Sequence, residues 1–130
     1  MRKYVLILAM FLIGTSAYSQ YTLVFCEDVT EEGKPVTVSN QFMVDRDGGA
    51  LRILLRTDGK LNTDKLDFKI FFVGENGTEE EITKLSQATE ADWNFVWKEI
   101  VMYDPGMYRV KVYNSKGTYL TSANLTLRSR

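Results

Sequence analysis

The stretch Met102–Leu127, MYDPGMYRVKVYNSKGTYLTSANLTL, decides the fold class. Its first part contains Asp104-Pro105-Gly106, which is typical of a turn, because proline presets φ and glycine accepts a positive φ. Apolar and mostly polar residues then alternate from position 108 to position 113, and this period of two indicates a strand with one buried face. A four-residue loop over Asn114–Gly117, with Gly117 at the positive-φ position, leads into a second strand. The stretch therefore predicts a turn followed by a β-hairpin.

The strand register of this hairpin is assigned so that the apolar residues of both strands lie on one face. With Val112 pointing inward, the pairing turns Tyr113 and Leu120 outward. The same pairing places the following residues inward: Tyr119, Thr121, Ala123, Leu125 and Leu127.

The rest of the chain reads as short strands separated by turns. The best central strand is Ala50–Thr57, in which Leu51, Ile53 and Leu55 share one apolar face. Before the last hairpin, strands are also predicted at Tyr21–Cys26, Val36–Val38, Gln41–Val44, Leu66–Val73, Glu79–Leu85 and Trp93–Tyr103.

Two segments are less regular. Ser86–Asp92 has little β-branched character and offers a serine cap, which predicts one helical turn in a crossover. Trp93–Tyr103 carries apolar residues on both faces, so its pattern does not decide which face points inward, and a bulge midway would switch the face.

Many short strands without a long amphipathic helix predict an all-β fold, a two-sheet antiparallel sandwich of about seven strands. At 130 residues with 45% hydrophobic residues, the chain suits a single domain, predicted over residues 20–130. Asp104–Tyr108 resembles the tyrosine corner of immunoglobulin-like domains, a D-x-G-x-Y turn whose tyrosine hydroxyl bonds to nearby backbone. This resemblance implies an immunoglobulin-like sandwich. Val110 stands where the second cysteine of such domains would be, facing Ile53 or Leu55, so apolar packing replaces the disulfide.

The N-terminus has the form of a secretory signal peptide. Met1-Arg2-Lys3 precedes the apolar run Tyr4–Ile13, and Ala17-Tyr18-Ser19 before Gln20 fits a cleavage site. The alternative, a membrane anchor, is disfavoured because the run is shorter than the about 20 residues that span a bilayer. The prediction is a signal peptide over residues 1–19 and an exported protein, periplasmic or extracellular, with no membrane span in its mature form.

Cys26 is the single cysteine of the chain, so no internal disulfide is possible. Because it follows the apolar residues of the first strand, it is expected to act as a small buried hydrophobe. The alternative is a disulfide between two chains.

The composition argues against catalysis. The chain has no histidine and one cysteine, which excludes the common nucleophile systems and histidine or thiolate zinc sites. No phosphate-binding glycine motif occurs, and carboxylates are spread over loops. Asp45-Arg46-Asp47-Gly48 begins like a calcium loop but lacks a third acidic residue, which favours a plain turn. The expectation is a protein that is not an enzyme and has no cofactor or metal.

Binding is the remaining class of function. Without the leader, 14 of the 16 basic residues remain against 17 acidic ones, and no basic stripe predicts nucleic-acid binding. Trp93 and Tyr113 are the candidate binding residues, because aromatic side chains are enriched where partners dock; the alternative for Trp93 is a ring that covers one end of the core. The predicted function is a protein-interaction or structural module of a bacterial cell envelope. The alternative is a carbohydrate-binding module that presents a coplanar row of exposed aromatic rings.

Overall fold

The computed structural model describes residues 21–129, so the signal peptide predicted over residues 1–19 lies outside the described residues. This part of the chain contains nine strands: β1 Tyr21–Val29, β2 Pro35–Val38, β3 Gln41–Val44, β4 Gly49–Thr57, β5 Lys65–Val73, β6 Glu79–Ala88, β7 Phe95–Met102, β8 Gly106–Asn114 and β9 Tyr119–Ser129. Within residues 21–129, no helix has the length and apolar character needed to cross a membrane.

The strands form two sheets. The four-stranded sheet has the order β2-β1-β4-β7, and the five-stranded sheet has the order β3-β9-β8-β5-β6. The pairings are antiparallel except for β3 with β9, which run parallel. The predicted all-β class and two-sheet architecture are confirmed, with β3 as a parallel addition at one edge.

The core lies between the two sheets and is formed mainly by apolar side chains. Alternation places every second residue of each inner strand inward, so that Ile53 of β4 and Val110 of β8 are both fully buried. Burying an aliphatic side chain of this size contributes about 1.5–3 kcal/mol. The largest fully buried side chains include Phe68, Leu51, Ile53, Leu55, Leu66, Ile70, Leu125, Leu127, Val110 and Val112. The core is therefore closed by apolar contacts, without a cystine between the sheets.

The turn before β8 forms the predicted tyrosine corner. The Tyr108 hydroxyl donates a hydrogen bond of 2.8 Å to the carbonyl oxygen of Asp104. Gly106 has a φ of +148°, and a Cβ at this position would meet the ring of Phe72 at 2.8 Å, so glycine is required there. Burial, with a further contribution from the charge of Asp104, raises the pKa of Tyr108.

The structure decides the face of β7 that the sequence left open. Val96, Ile100 and Met102 point into the core, while Trp97 and Val101 point outward. The pairing of β4 with β7 is continuous over the whole strand, from Gly49 opposite Met102 to Arg56 opposite Phe95, so no bulge switches the face.

The helical turn predicted over Ser86–Asp92 is wrong. Its first residues continue β6, and the remainder is a connection from the five-stranded to the four-stranded sheet. Most backbone hydrogen bonds of this connection are made with the loop between β4 and β5: Thr89 N–H donates to the Asp64 carbonyl at 3.0 Å, and Asn62 N–H donates to that of Ala91 at 2.9 Å. Within the connection, Trp93 N–H donates to the Glu90 carbonyl at 3.1 Å, which closes a single turn. The bonds with the loop replace the internal bonds of a helix.

The start of β9 also differs from the expectation. Tyr119 is exposed instead of inward, and Leu120 packs against the core instead of facing out. The cause is a register shift after Val112, because Val112 pairs with Thr121 while the next residue, Tyr113, pairs with Tyr119. Beyond the shift, Leu125 and Leu127 are buried as predicted, and Gly117 has the expected positive φ of 81°.

Cys26 is fully buried, as predicted, but it lies outside the main core. It occupies the outer side of β1, where its thiol donates to the carbonyl oxygen of Arg52 at a distance of 3.8 Å. Burial raises the pKa of the thiol.

Candidate functional site

The outer face of the five-stranded sheet carries a network of paired charges and also exposes Met43, Met107 and Tyr119. Glu79 of β6 accepts a hydrogen bond of 2.8 Å from Lys111 and forms an ion pair with Arg109, both of β8. The hydrogen bond from Lys111, with the neighbouring Arg109, lowers the pKa of the Glu79 carboxyl. Arg109 also donates to the side-chain oxygen of Asn124 at 2.8 Å. This face satisfies its own charges.

Tyr113 lies on this same face. Its ring packs edge-on against Tyr119, with the ring centres 5.8 Å apart, and the ammonium group of Lys69 lies 4.8 Å from its centre. The partners of Tyr113 are thus neighbours on its own sheet.

The outer face of the four-stranded sheet exposes apolar side chains on its two edge strands, β2 and β7. Between 40% and 55% of each of four large hydrophobic residues is accessible to solvent. We call these residues the outer patch: Val36, Val38, Trp97 and Val101. Val36 and Val38 lie on β2, and Trp97 and Val101 lie on β7, at opposite edges of the sheet. On the middle strands, β1 and β4, Cys26 and Leu54 are fully buried, although neither belongs to the core between the sheets. The outer patch therefore surrounds a second, smaller apolar layer on the outside of this sheet.

Arg52 lies at the centre of this face. Its guanidinium group forms an ion pair with Asp28 and lies over the ring of Trp97, 4.7 Å from the ring centre. The Arg52 Nε atom is buried without a hydrogen-bond partner among the described residues. Stacking of a guanidinium on an indole restricts the ring, so Trp97 is held in one orientation while 40% of it stays exposed.

Trp93 lies at the end of the same sheet, in the connection that leads into β7. Its carbonyl oxygen accepts a hydrogen bond of 2.7 Å from the N–H of Leu61, which ties it to the loop between β4 and β5. Both tryptophans of the chain line one groove of about 310 Å³ that follows the first half of β7. The groove is lined by Gln87, Trp93, Asn94, Phe95, Val96 and Trp97. None of these residues is charged, so the groove suits an uncharged group.

The two candidate residues from the sequence thus lie in different places. Trp93 lies beside Trp97 in the groove along β7, whereas Tyr113 is on the outer face of the other sheet. Sequence reasoning missed Trp97 and Val101 as surface residues. The sequence feature that could have identified them is the apolar character of both faces of Trp93–Tyr103. A strand that packs on the core with one face needs apolar residues only on that face.

The loop Asp45–Gly48 is a turn. The N–H of Gly48 donates to the carbonyl oxygen of Asp45 at 2.9 Å, and the Asp45 carboxylate accepts a hydrogen bond from the N–H of Asp47 at 3.1 Å. The carboxylate therefore closes the turn itself. Over residues 21–129, no cluster of three or more histidine, cysteine or acidic residues could hold a metal ion.

Comparison with known proteins reveals a similar fold without a sequence relative. No family model and no curated protein matches the chain. An immunoglobulin-like protein from Pseudomonas aeruginosa is similar in structure with a TM-score of 0.52 and 11% identity, over 86% of this chain and 99% of that one. A variant of superoxide reductase (neelaredoxin) from Ignicoccus hospitalis has a TM-score of 0.50 and 7% identity, over 89% and 86% of the two chains.

The PmoD soluble domain from a Methylocystis species is similar with a TM-score of 0.48 and 12% identity, over 82% of this chain and 90% of that one. Identities this low are informative about architecture and not about activity. Together with the two sheets and the tyrosine corner, the likeness to the Pseudomonas aeruginosa protein shows that the chain is an immunoglobulin-like β-sandwich.

Proposed function

We propose that this chain is an exported, non-catalytic module of a bacterial cell envelope, and that it binds another protein through the outer patch. The single observation that carries the proposal is the exposed indole of Trp97, which is stacked on Arg52 and lies on the same outer face as Val36, Val38 and Val101. Scattered single apolar residues on a surface need no explanation, but a group of them on one sheet marks an interaction surface. Trp97, held by Arg52, is the type of rigid aromatic anchor that contributes most to protein interfaces.

The contrast between the two outer faces supports this choice of surface. On the five-stranded sheet, Glu79, Arg109 and Lys111 neutralise one another, and a partner would have to break these contacts. On the four-stranded sheet, covering Trp97 and Val101 removes apolar area from water, which is favourable at about 25 cal/mol per Å².

Site-specific photo-crosslinking in the native cells tests the proposal. A photoreactive amino acid at position 101, in the outer patch, is expected to yield one discrete crosslinked product in the envelope fraction. The matched control carries the same group at position 81, on the exposed part of β6. Equal products from both positions, or none from position 101, would contradict an interaction through the outer patch.

Export has its own measurement. The intact mass of the protein recovered from the envelope or the medium is expected to correspond to a chain that begins at Gln20. A full-length protein found only in the cytoplasm would contradict the exported location and leave the binding surface unaffected.

Carbohydrate binding is the second candidate, favoured by the uncharged groove that both tryptophans line. Indole rings stack on the apolar faces of sugars, and the Asn94 side chain offers donors and an acceptor at the same groove. Because Trp93 and Trp97 are the two tryptophans of the chain, its tryptophan fluorescence reports on this groove and on the adjoining part of the outer patch. A saturable change on titration with oligosaccharides would favour this function.

A further inference from the structure

The four edge strands of the two sheets differ in how they oppose the addition of another strand. β2 has four residues, begins with Pro35 and contains Thr37 at a φ of +57°. β3 is also four residues long. β6 carries Glu79, Glu80 and Glu81, and its pairing with β5 shifts register after Ile70. Short length, proline, charge and bulges are the features by which proteins protect sheet edges.

β7 carries charge at Lys98 and Glu99 but lacks the other features. It is eight residues long with the sequence FVWKEIVM, contains no proline and keeps an unbroken register with β4. It is the last strand of its sheet, so one side of its backbone has no neighbouring strand among the described residues. A long regular edge with apolar side chains is the type of edge to which extended segments add.

The hydrogen-bond pattern identifies the backbone groups that are free. Thr57 N–H donates to the carbonyl oxygen of Asn94 at 3.0 Å, which sets the phase of the ladder between β4 and β7. In an antiparallel pair, alternate residues direct both backbone groups at the same neighbour. Even-numbered residues of β7 therefore bond to β4. The residues that direct their N–H and C=O groups to the open side are Phe95, Trp97, Glu99 and Val101.

The side chains along this edge indicate what would add to it. Trp97 and Val101 are exposed on the outer face with the exposed Glu99 between them, so a new strand would extend the outer patch with apolar residues beside Trp97 and Val101. On the inner face at the middle of β7, Lys98 donates to the Gln87 amide oxygen at 3.4 Å and has no ion pair among the described residues. A carboxylate on the added strand would complement this charge.

We propose that β7 is the docking site for an extended segment of a partner protein, which pairs with its backbone, faces the outer patch with apolar residues and places an acidic residue opposite Lys98. The proposal rests on the proposed function, because it states how the partner binds. Lys98 gives the edge selectivity: an inward-facing charge opposes pairing with an entirely apolar or basic strand.

A synthetic peptide tests this directly. The probe is acetyl-TVTVEVTVT-amide, which has valines on one face and glutamate at the centre of the other, and its match has lysine in place of the glutamate. With uniformly labelled protein and peptide up to millimolar concentration, we expect the amide resonances of Phe95, Trp97, Glu99 and Val101 to shift. Opposite charges across a strand pair attract and like charges repel. We therefore expect the lysine peptide to bind about tenfold more weakly than the glutamate peptide. Lys98→Glu is expected to reverse this preference.

A proline variant distinguishes strand addition from side-chain contact. Glu99→Pro removes an N–H that points to the open side and leaves the ladder with β4 intact, so the protein is expected to fold and to lose the peptide. Glu99→Gln changes the same side chain but keeps the N–H, and it is expected to bind the peptide as the unmodified protein does. Thermal unfolding of both variants checks that the fold is retained.

Three outcomes would overturn the proposal: resonance shifts confined to β6 or to the outer face of the five-stranded sheet, no shift at millimolar peptide, or equal binding by Glu99→Pro and Glu99→Gln. A fluorescence response to oligosaccharides with none to either peptide would assign the groove to sugars instead. Crosslinks from position 101 that persist in Glu99→Pro would refute strand addition while the protein-binding function stands. Absence of those crosslinks in the unmodified protein refutes the function itself.

Discussion

β6 and β7 are both edge strands, and they lie across one opening between the two sheets, bridged by the contact between Gln87 and Lys98. β6 begins with three glutamates, and Glu79 is held by Arg109 and Lys111 of the neighbouring strand. β7 has Trp97 and Val101 on its outer side and one inward lysine. The two edges of one sandwich therefore differ: β6 begins with a run of three negative charges, whereas β7 has the single charges of Lys98 and Glu99 among apolar side chains.

We expect the apolar side chains on the outside of β7 to contribute little to the stability of the sandwich. The core lies between the sheets and is formed by their inner faces, so Trp97 and Val101 add little to it. Exposed apolar residues on an edge favour association, and they are the residues through which we propose that the protein binds a partner. The following predictions distinguish residues that stabilise the sandwich from residues of the outer patch.

The largest effect is expected on the inner face of the four-stranded sheet. Replacing the fully buried Ile53 by alanine should lower the free energy of unfolding by roughly 2–5 kcal/mol, because it removes buried methyl groups and leaves a cavity. Urea denaturation followed by circular dichroism measures the change. A loss below about 0.5 kcal/mol, as at a surface site, would mean that the inner face does not hold this sheet.

The second-largest effect is expected at the tyrosine corner, in the turn before β8. Tyr108→Phe removes the hydroxyl that donates to the Asp104 carbonyl, and the free energy of unfolding should fall by about 1 kcal/mol. The midpoint of urea denaturation reports the loss. An unchanged midpoint would show that the 2.8 Å hydrogen bond does not stabilise the turn.

Alkaline pH should remove part of this stability without a substitution. Because burial raises the pKa of Tyr108, the folded protein keeps the phenol proton at a pH where the unfolded chain has already lost it, near 10. The contribution of the Tyr108 hydroxyl to the free energy of unfolding is thus complete below that pH, and it is lost as the pH rises through the pKa of Tyr108 in the folded protein. The stability difference between the unmodified protein and Tyr108→Phe should narrow above about pH 10. A constant difference would contradict this linkage.

The smallest effect on stability is expected at the outer patch. Val101→Thr keeps the shape and the strand preference of the side chain, so the free energy of unfolding should change by less than about 0.5 kcal/mol. The same variant, with the photoreactive group moved to position 99, should lose most of the crosslinked product that this group gives in the otherwise unmodified protein. A large loss of stability would place Val101 among the residues that hold the sandwich and would weaken the contrast between the edges.

Much of the fold could be predicted from short-range patterns. The alternation in β4 and β8 identified Ile53 and Val110 as inward residues, and Asp104–Tyr108 predicted the corner with its hydrogen bond. These features depend on neighbours in sequence, because side-chain period and turn geometry are local properties. The error over Ser86–Asp92 has the opposite cause, since a loop distant in sequence accepts and donates the backbone bonds that a helix would need.

The candidate site was predictable only in part. Trp93 was singled out as an aromatic residue at a junction, but its neighbour Trp97 was not, because the apolar residues of Trp93–Tyr103 fit either face of a strand. Tyr113 satisfied the same sequence criterion and lies on the other sheet, beside Tyr119 and Lys69. Aromatic character alone does not distinguish a surface that is already paired from one that is free.

The sequence by itself determined the all-β class, the positions of the strands and the corner at Tyr108, because hydrophobic period and turn residues act over a few positions of the chain. Only the tertiary structure decided which strands became edges, that β7 turned Trp97 and Val101 outward, and that β6 and β7 came to flank one groove. Edge position depends on the order in which distant strands pair, and no local pattern contains that information.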